Sequence, residues 1–128
     1  MDAAQALGEL MELSSQITAA VVLDAEGAVL ASSSEDAAAS GALAGSTIEL
    51  VTAATDLGGT TRDVTRVEVE LDEGAFFLVR EGERTVAALT GPSPTSGLVV
   101  YDLRTCAQAI TPPQPKKART RKPKEAAE

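Results

Sequence analysis

The segment spanning residues 35–58 is predicted to form one long helix whose apolar side chains occupy two separate faces. The first apolar stripe comprises Leu43, Leu50, Ala54 and Leu57, and the second comprises Gly41, Ala44, Ile48 and Val51. A helix that is apolar over about two-thirds of its circumference is normally covered on both sides. In a chain of 128 residues the second cover comes most simply from another subunit, so the sequence predicts a homodimer.

Two further features favour a second subunit. Phe76, Phe77 and Tyr101 are the only aromatic residues, so the core must be built from aliphatic side chains that bury little area each. Small residues in the long helix, at Gly41, Ala44 and Gly45, would let another backbone approach closely. The two glycines are also open to a simpler interpretation, as residues tolerated in a helix at about 1 kcal/mol each relative to alanine.

The sequence also predicts a compartment. No apolar run approaches the roughly 20 residues of a membrane span, and the acidic amino terminus lacks the basic lead of a secretion signal. We therefore expect a cytoplasmic protein. Cys106 is the single cysteine, which excludes an internal disulfide, and its place on an apolar helix face predicts a buried small hydrophobe.

Charge divides the chain into a domain, residues 1–110, and a tail, residues 111–128. The domain carries five Arg against seventeen acidic residues, a net charge of -12, whereas the tail carries six basic residues against two, a net charge of +4. The tail's basic residues are Lys116, Lys117, Arg119, Arg121, Lys122 and Lys124. Four prolines oppose a regular helix, and the lack of large apolar residues predicts a tail that is disordered when free.

The first half of the domain contains a helix, a hairpin and the long helix. Residues 2–15 are amphipathic, and residues 17–23 and 28–32 are two strands joined by a turn that closes at Gly27. The serines at positions 33 and 34 offer a capping hydroxyl for the long helix, with Glu35 and Asp36 in its first turn.

The second half contains three closely spaced strands and a final helix. Residues 64–71 alternate between apolar and charged side chains, and short turns connect them to strands at 75–80 and 84–90 in an antiparallel meander. Residues 97–110 then place apolar side chains on one helical stripe. The four residues from 98 to 101, taken alone, would also pass for a strand because Val99 and Val100 are β-branched.

This succession of elements resembles the Roadblock/dynein light chain family. The resemblance covers about residues 2–110 and rests on the element order, on the hairpin VVLDAEGAVLAS at residues 21–32 and on the stretch SGLVVYDLR at residues 96–104. It implies an α+β fold of order α-β-β-α-β-β-β-α, with a five-stranded antiparallel sheet between the long middle helix and the two terminal helices. It also implies a homodimer that pairs edge to edge through the third strand.

The resemblance assigns a dimer interface to the middle helix and the third strand. The expected interface residues are Leu43, Thr47, Leu50, Ala54, Leu57, Val64, Arg66, Glu68 and Glu70. Pairing of the third strand with its twin would satisfy edge hydrogen bonds that are otherwise exposed.

The sequence contains little that is typical of catalysis. Histidine is absent, which removes the commonest general base and the commonest transition-metal ligand. The loop at residues 58–63 lacks the Gly-Lys-Ser or Gly-Lys-Thr ending of a phosphate-binding loop, and the acidic hairpin turns are typical of solvated tips. Each of the five domain arginines would suit an arginine finger chemically, but their positions are typical of solvated arginine. We expect no catalytic residue, cofactor, metal or small-molecule ligand, and hence no enzyme.

The resemblance implies a regulatory or scaffolding partner of Ras-like small GTPases, since bacterial and archaeal members of the family often act on such switches. A regulator of this kind can prefer one nucleotide state and shift the switch toward it. Glu49 and Asp56, on the exposed part of the middle helix, are the candidate contact residues.

The basic tail supports a competing hypothesis. The domain would then be a dimerisation module, and the tail would bind nucleic acid or an anionic membrane by salt-sensitive electrostatics. Alternatively, the tail folds back on its own acidic domain or docks on the GTPase.

Overall fold

A computed structural model describes residues 1–58 and 63–110. The elements are α1 (Ala3–Leu13), β1 (Ile17–Leu23), β2 (Val29–Ser32), α2 (Ala37–Gly58), β3 (Arg66–Leu71), β4 (Gly74–Glu81), β5 (Arg84–Thr90) and α3 (Ser96–Ala109). This order confirms the predicted α+β fold. The basic tail and residues 59–62 lie outside the described residues.

The five strands form one antiparallel sheet in the order β2-β1-β5-β4-β3. Consecutive strands β3, β4 and β5 are neighbours because two-residue turns connect them. Strand β1 lies between β2 and β5, so the first hairpin extends the meander. Strands β2 and β3 are therefore the two edges of the sheet.

One face of the sheet packs against α1 and α3. The buried side chains of this layer are Ala6, Leu7, Leu10, Ile17, Ala20, Val22, Ala75, Phe77, Val79, Val86, Ala88, Val99, Val100, Leu103, Cys106, Ala107 and Ile110. Val99 and Val100 are buried in helical geometry here, which settles the strand-or-helix ambiguity of this segment in favour of the helix. Burial against the sheet overrides the modest helix penalty of β-branched side chains.

The opposite face of the sheet packs against α2. Its smaller buried cluster consists of Val21, Leu23, Ala44, Phe76, Leu78 and Ala87. Alternate residues of each strand thus serve opposite layers, as the period of two requires. The predicted sandwich, with two terminal helices on one face and the middle helix on the other, is confirmed.

The structure corrects the beginnings of two elements. Helix α2 begins at Ala37, so Glu35 and Asp36 precede the helix and do not occupy its first turn. The side chain of Asp36 is the cap, because its Oδ1 atom accepts a hydrogen bond from the backbone N–H of Ala38 at 2.9 Å. Strand β3 begins at Arg66, which leaves Val64 before the strand.

Candidate functional site

A network of hydroxyl groups fixes the amino-terminal end of α2 to the first hairpin. The hydroxyls of Ser32 and Ser40 lie 2.6 Å apart, and the Ser40 hydroxyl also lies 3.3 Å from the carbonyl oxygen of Ser34. The Ser33 hydroxyl accepts a hydrogen bond from the backbone N–H of Ala20 at 2.9 Å. The serines between β2 and α2 therefore join strand to helix rather than cap the helix directly.

The sheet-facing side of α2 is defined by two buried residues. Ala44 and Thr47 are buried, and the Thr47 hydroxyl donates to the carbonyl oxygen of Leu43 at 2.7 Å. Leu43, Leu50 and Val51 are half-buried and pack against the cluster under the helix. This side of α2 belongs to the protomer's own core.

One flank of α2 is tied to the β1–β2 turn. Gly27 of that turn has φ of +87°, and a β-carbon built on it would lie 2.8 Å from the Cδ1 atom of Ile48. The Oδ1 atom of Asp24 closes the same turn by accepting from the N–H groups of Glu26 and Ala28, both at 2.9 Å. Because Ile48 faces this turn, the opposite flank of α2 faces away from the first hairpin.

That opposite flank is apolar and exposed. At 100° per residue it contains the exposed apolar residues Ala39, Ala42, Ala53 and Leu57, and the exposed Ser46 lies among them. Leu57 is 90% exposed, the largest exposure among the large apolar side chains of the described ranges. The flank lies on the β3 side of the sheet, since β2 and β3 are opposite edges.

Strand β3 presents an open edge on the same side of the molecule. The carbonyl oxygen of Thr65 accepts the N–H of Arg80 at 3.0 Å, so the odd-numbered residues of this strand bond to β4. In an antiparallel ladder the alternate residues direct their backbone groups the other way. Arg66, Glu68 and Glu70 therefore direct their N–H and C=O groups to the edge.

The predicted interface residues are brought together only in part. Leu43, Leu50, Ala54 and Val64 are half-buried, whereas Leu57, Arg66, Glu68 and Glu70 are exposed. Thr47 is fully buried within the protomer, where its side chain offers no surface to a partner. The dimer itself stays a prediction.

The predicted partner-contact residues lie on the side of α2 away from the sheet. Glu49 and Asp56 are both exposed, and their seven-residue spacing puts them on one stripe. The tail residues of the competing hypothesis, Lys116 to Lys124, lie outside the described part of the chain.

Two side chains with reactive potential, Cys106 and Arg104, are buried or engaged. Burial raises the pKa of the Cys106 thiol to about 11, which disfavours the nucleophilic thiolate. The Nη1 atom of Arg104 lies 2.7 Å from the Oε2 atom of Glu81, and the amide of Gln108 donates to the other oxygen of Glu81 at 3.4 Å. Sequence reasoning missed this contact, because no local pattern links the end of β4 to α3.

No group of three or more potential metal ligands occurs within residues 1–58 and 63–110. This leaves the expected absence of a metal as a prediction. The described residues form an apolar helix flank, an open strand edge and two exposed carboxylates, which are features of a protein-binding surface.

Helix α2 also corrects one expectation about membranes. By length and composition, Ala37–Leu57 is apolar enough to cross a membrane, and it is the single such helix in the described ranges. The statement that no apolar stretch approaches a membrane span is therefore wrong for α2. One such helix is by itself weak evidence of a membrane span. Core helices that meet this criterion are mostly buried, whereas 17% of the α2 window is buried, with Ala44 in the cluster on the sheet.

The comparisons with known proteins agree on one fold. Residues 4–90 match the model of the Roadblock/LC7 domain family. The crystal structure of a Roadblock/LC7 domain from Streptomyces avermitilis has a TM-score of 0.73 at 22% identity and covers 85% of this chain and 94% of that chain. No curated protein matches the chain.

Two further solved structures are similar to the chain. Myxococcus xanthus MglB has a TM-score of 0.61 at 14% identity and covers 83% of this chain and 79% of that one. The gliding protein MglB from Thermus thermophilus has a TM-score of 0.60 at 14% identity and covers 84% of each chain. At these identities the similarity establishes a shared fold.

Proposed function

The chain belongs to the Roadblock/LC7 domain family, and from that membership we propose that it is a homodimer that binds a Ras-like small GTPase and modulates its nucleotide cycle. Members of this family are regulators or scaffolds rather than enzymes. The observation that carries the proposal is the position of the exposed α2 flank and the open β3 edge on one side of the sheet.

Dimerisation through β3 accounts for both features together. A two-fold axis perpendicular to the sheet would join β3 to its twin and satisfy the outward backbone groups of Arg66, Glu68 and Glu70. The same axis maps each face of the sheet onto itself. The two α2 helices would then lie side by side on one face, with Leu57 and the small residues of the exposed flank between them.

The dimer would present a two-helix platform to a partner. Glu49 and Asp56 of each protomer lie on the side of α2 opposite the sheet, so the platform would carry four carboxylates. A preference of about tenfold for one nucleotide state requires a difference of about 1.4 kcal/mol in binding free energy. By linkage, such a preference shifts the GTPase toward that state without any catalytic group from the regulator. With a partner of this class, the proposed location is the cytoplasm.

The test begins with affinity capture from the native host, run separately with GDP and with a non-hydrolysable GTP analogue. The GTPase that is retained is then purified, and its affinity for the full chain is measured by calorimetry in both nucleotide states. Different affinities support a regulator, and equal affinities restrict the role to a scaffold. Retention of no GTPase in either state contradicts the proposal.

The contact residues are tested with a matched pair of variants. Glu49→Arg/Asp56→Arg is expected to weaken GTPase binding because it reverses the exposed charges of the platform. Glu9→Arg/Glu12→Arg makes the same change in net charge on α1, at exposed positions on the opposite layer, and is expected to leave binding unchanged. Equal effects of the two variants would assign the loss to net charge and remove Glu49 and Asp56 from the contact.

A further inference from the structure

A groove of about 560 Å³ opens at one end of the molecule, away from the β3 edge. It lies between the beginning of α1, the β1–β2 turn and the β4–β5 turn. Its apolar residues are Ala3, Ala4, Ala25, Leu30 and Ile110, and its charged residues are Asp2, Asp24, Glu26, Glu83 and Arg84. The groove thus combines an apolar surface with four carboxylates and one guanidinium.

Two of the four carboxylates form hydrogen bonds within the protein, and the other two are exposed. Asp24 holds the β1–β2 turn, and Asp2 caps α1 by accepting from the N–H of Gln5 at 2.8 Å. Glu26 and Glu83 are exposed, and neither side chain forms an ion pair with a described residue. These two carboxylates are therefore open to a cationic ligand.

The chain itself leads from this groove into its most basic segment. Ile110 is the last described residue, and its buried side chain lines the groove. Residues 111–128 follow directly and contain six basic residues. At about 3.3 Å per extended residue, Lys116 can lie as far as about 20 Å from Ile110, a distance sufficient to reach along the groove.

We propose that the basic tail docks in this groove of its own protomer. The proline-rich residues 112–115 cover Ala3, Ala4 and Leu30, and the cations that begin at Lys116 contact Glu26 and Glu83. A short tether gives the tail an effective concentration on the order of millimolar, so a weak contact is already populated. Docking keeps the tail from anionic partners at low ionic strength, and salt releases it because exposed ion pairs are screened. This inference does not depend on the GTPase.

The test uses the full chain with a nitroxide spin label attached through Ala118→Cys. Cys106 is buried and reacts slowly, and Cys106→Ala provides a background without it. The amide signals of Glu26, Leu30 and Glu83 are expected to lose intensity at low salt relative to the reduced label. At 1 M salt, where the Debye length is about 3 Å, the intensity is expected to return.

Two charge variants separate docking in the groove from general attraction to an acidic protein. Glu26→Lys/Glu83→Lys is expected to abolish the intensity loss, while Glu9→Lys/Glu12→Lys keeps it despite the same net charge. Three outcomes would each overturn the proposal. They are intensity loss in both variants, a loss centred on the acidic residues of β3, and no loss at the groove residues of the spin-labelled protein without charge changes. Mixing ¹⁵N protein that lacks the nitroxide with spin-labelled ¹⁴N protein tests the tether. No loss is expected in this mixture, and a loss there comparable to that in the spin-labelled ¹⁵N protein would assign the groove to another protomer's tail.

Discussion

A β-carbon added to Gly27 would lie 2.8 Å from the Cδ1 atom of Ile48, so the β1–β2 turn and the middle of α2 are in direct contact. Gly27 also has φ of +87°, a region that side chains with a β-carbon rarely adopt. Position 27 therefore requires glycine for two independent reasons, the positive φ and the close contact with Ile48. The contact fixes one flank of α2 against the first hairpin and leaves the other flank exposed.

Gly27→Ala is expected to lower the free energy of unfolding by about 1–3 kcal/mol, because it adds backbone strain and a contact with Ile48. Urea unfolding of the purified protein measures the change. Gly82→Ala is the matched comparison, since Gly82 has φ of +61° with open space around its β-carbon position. Adding Ile48→Val to Gly27→Ala removes the Cδ1 atom and is expected to recover part of the loss. Equal costs at the two glycines, with no recovery, would mean that the Ile48 contact has no effect.

The ion pair between Arg104 and Glu81 is expected to connect α3 to the end of β4 with a modest stabilisation. Both side chains are about one-third exposed, so Arg104→Ala is expected to lower the unfolding free energy by about 1 kcal/mol or less. The loss is expected to shrink in 1 M salt. Arg104→Lys keeps the charge and is the control. An Arg104→Ala cost that is independent of salt would assign the effect to packing of the arginine stem.

The buried thiol of Cys106 predicts a fall in stability at alkaline pH. Its pKa rises on folding from 9.0 to about 11, so between these values the unfolded chain loses the proton while the folded chain keeps it. The contribution of the protonated thiol to the free energy of unfolding is complete below pH 9. It is lost as the pH rises toward 11, and the loss is as much as about 2–3 kcal/mol. Urea unfolding at pH 8 and pH 10.5 measures this loss under reducing conditions. Cys106→Ala is expected to show a smaller loss, and equal losses would exclude the thiol as the cause.

The sequence predicted those elements whose determinants are local. The hairpins followed from turn chemistry, and Gly27 and Gly82 both have the positive φ that their turns require. The start of α2 was predicted two residues too early because Ser33, Ser34 and Asp36 all suit a cap. Long-range contacts decide between them, since the Ser33 hydroxyl binds β1 and leaves the capping position to Asp36.

The candidate surface was less accessible to sequence reasoning. Helical periodicity gives the angle between the two apolar stripes of α2. It does not determine which of the two stripes faces the sheet. Thr47 lies about 40° from Leu43 on the helical wheel. It was assigned to the interface, yet it is fully buried in the protomer. The contact between Ile48 and Gly27 sets the rotation of α2, and it joins residues 21 positions apart with no pattern to link them.

Pairing of β3 with its twin predicts a specific register. Under a two-fold axis perpendicular to the sheet, a register centred on Glu68 pairs Arg66 with the twin's Glu70 twice and Val67 with the twin's Val69 twice. It brings one pair of like charges together, at Glu68 itself. A register centred on Val69 places Glu68 opposite Glu70 twice. One centred on Val67 pairs Arg66 with the twin's Glu68 twice, but it aligns only residues 66–68 of the strand, against 66–70 for the centre at Glu68, and places Leu71 opposite Asp63. Cross-strand pairs contribute roughly 0.2–1 kcal/mol each, so the register centred on Glu68 is favoured.

Disulfide formation identifies the register. Glu68→Cys is expected to cross-link two protomers under mild oxidation, since directly opposed residues have Cα atoms about 5.5 Å apart. Val67→Cys and Val69→Cys alone are expected to remain uncross-linked, because their nearest twin cysteines lie at diagonal positions about 7–8 Å away. Non-reducing gel electrophoresis reports the product. Cross-linking through Val67→Cys would move the centre by one residue, and no cross-link in any variant would argue against pairing through β3.

Leu57 tests whether the exposed flank of α2 packs against its twin. The side chain is 90% exposed in the protomer, so Leu57→Gln is expected to leave protomer folding nearly unchanged. Burial of a leucine contributes about 1.5–3 kcal/mol, and two copies per dimer would raise the dissociation constant by roughly 10²–10⁴-fold. Sedimentation equilibrium over a range of concentrations measures that constant. Leu13→Gln is the matched control, because Leu13 is 77% exposed at the end of α1 on the opposite layer. If both variants have the dissociation constant of the unaltered chain, Leu57 lies outside the dimer interface and the apolar flank remains for another partner.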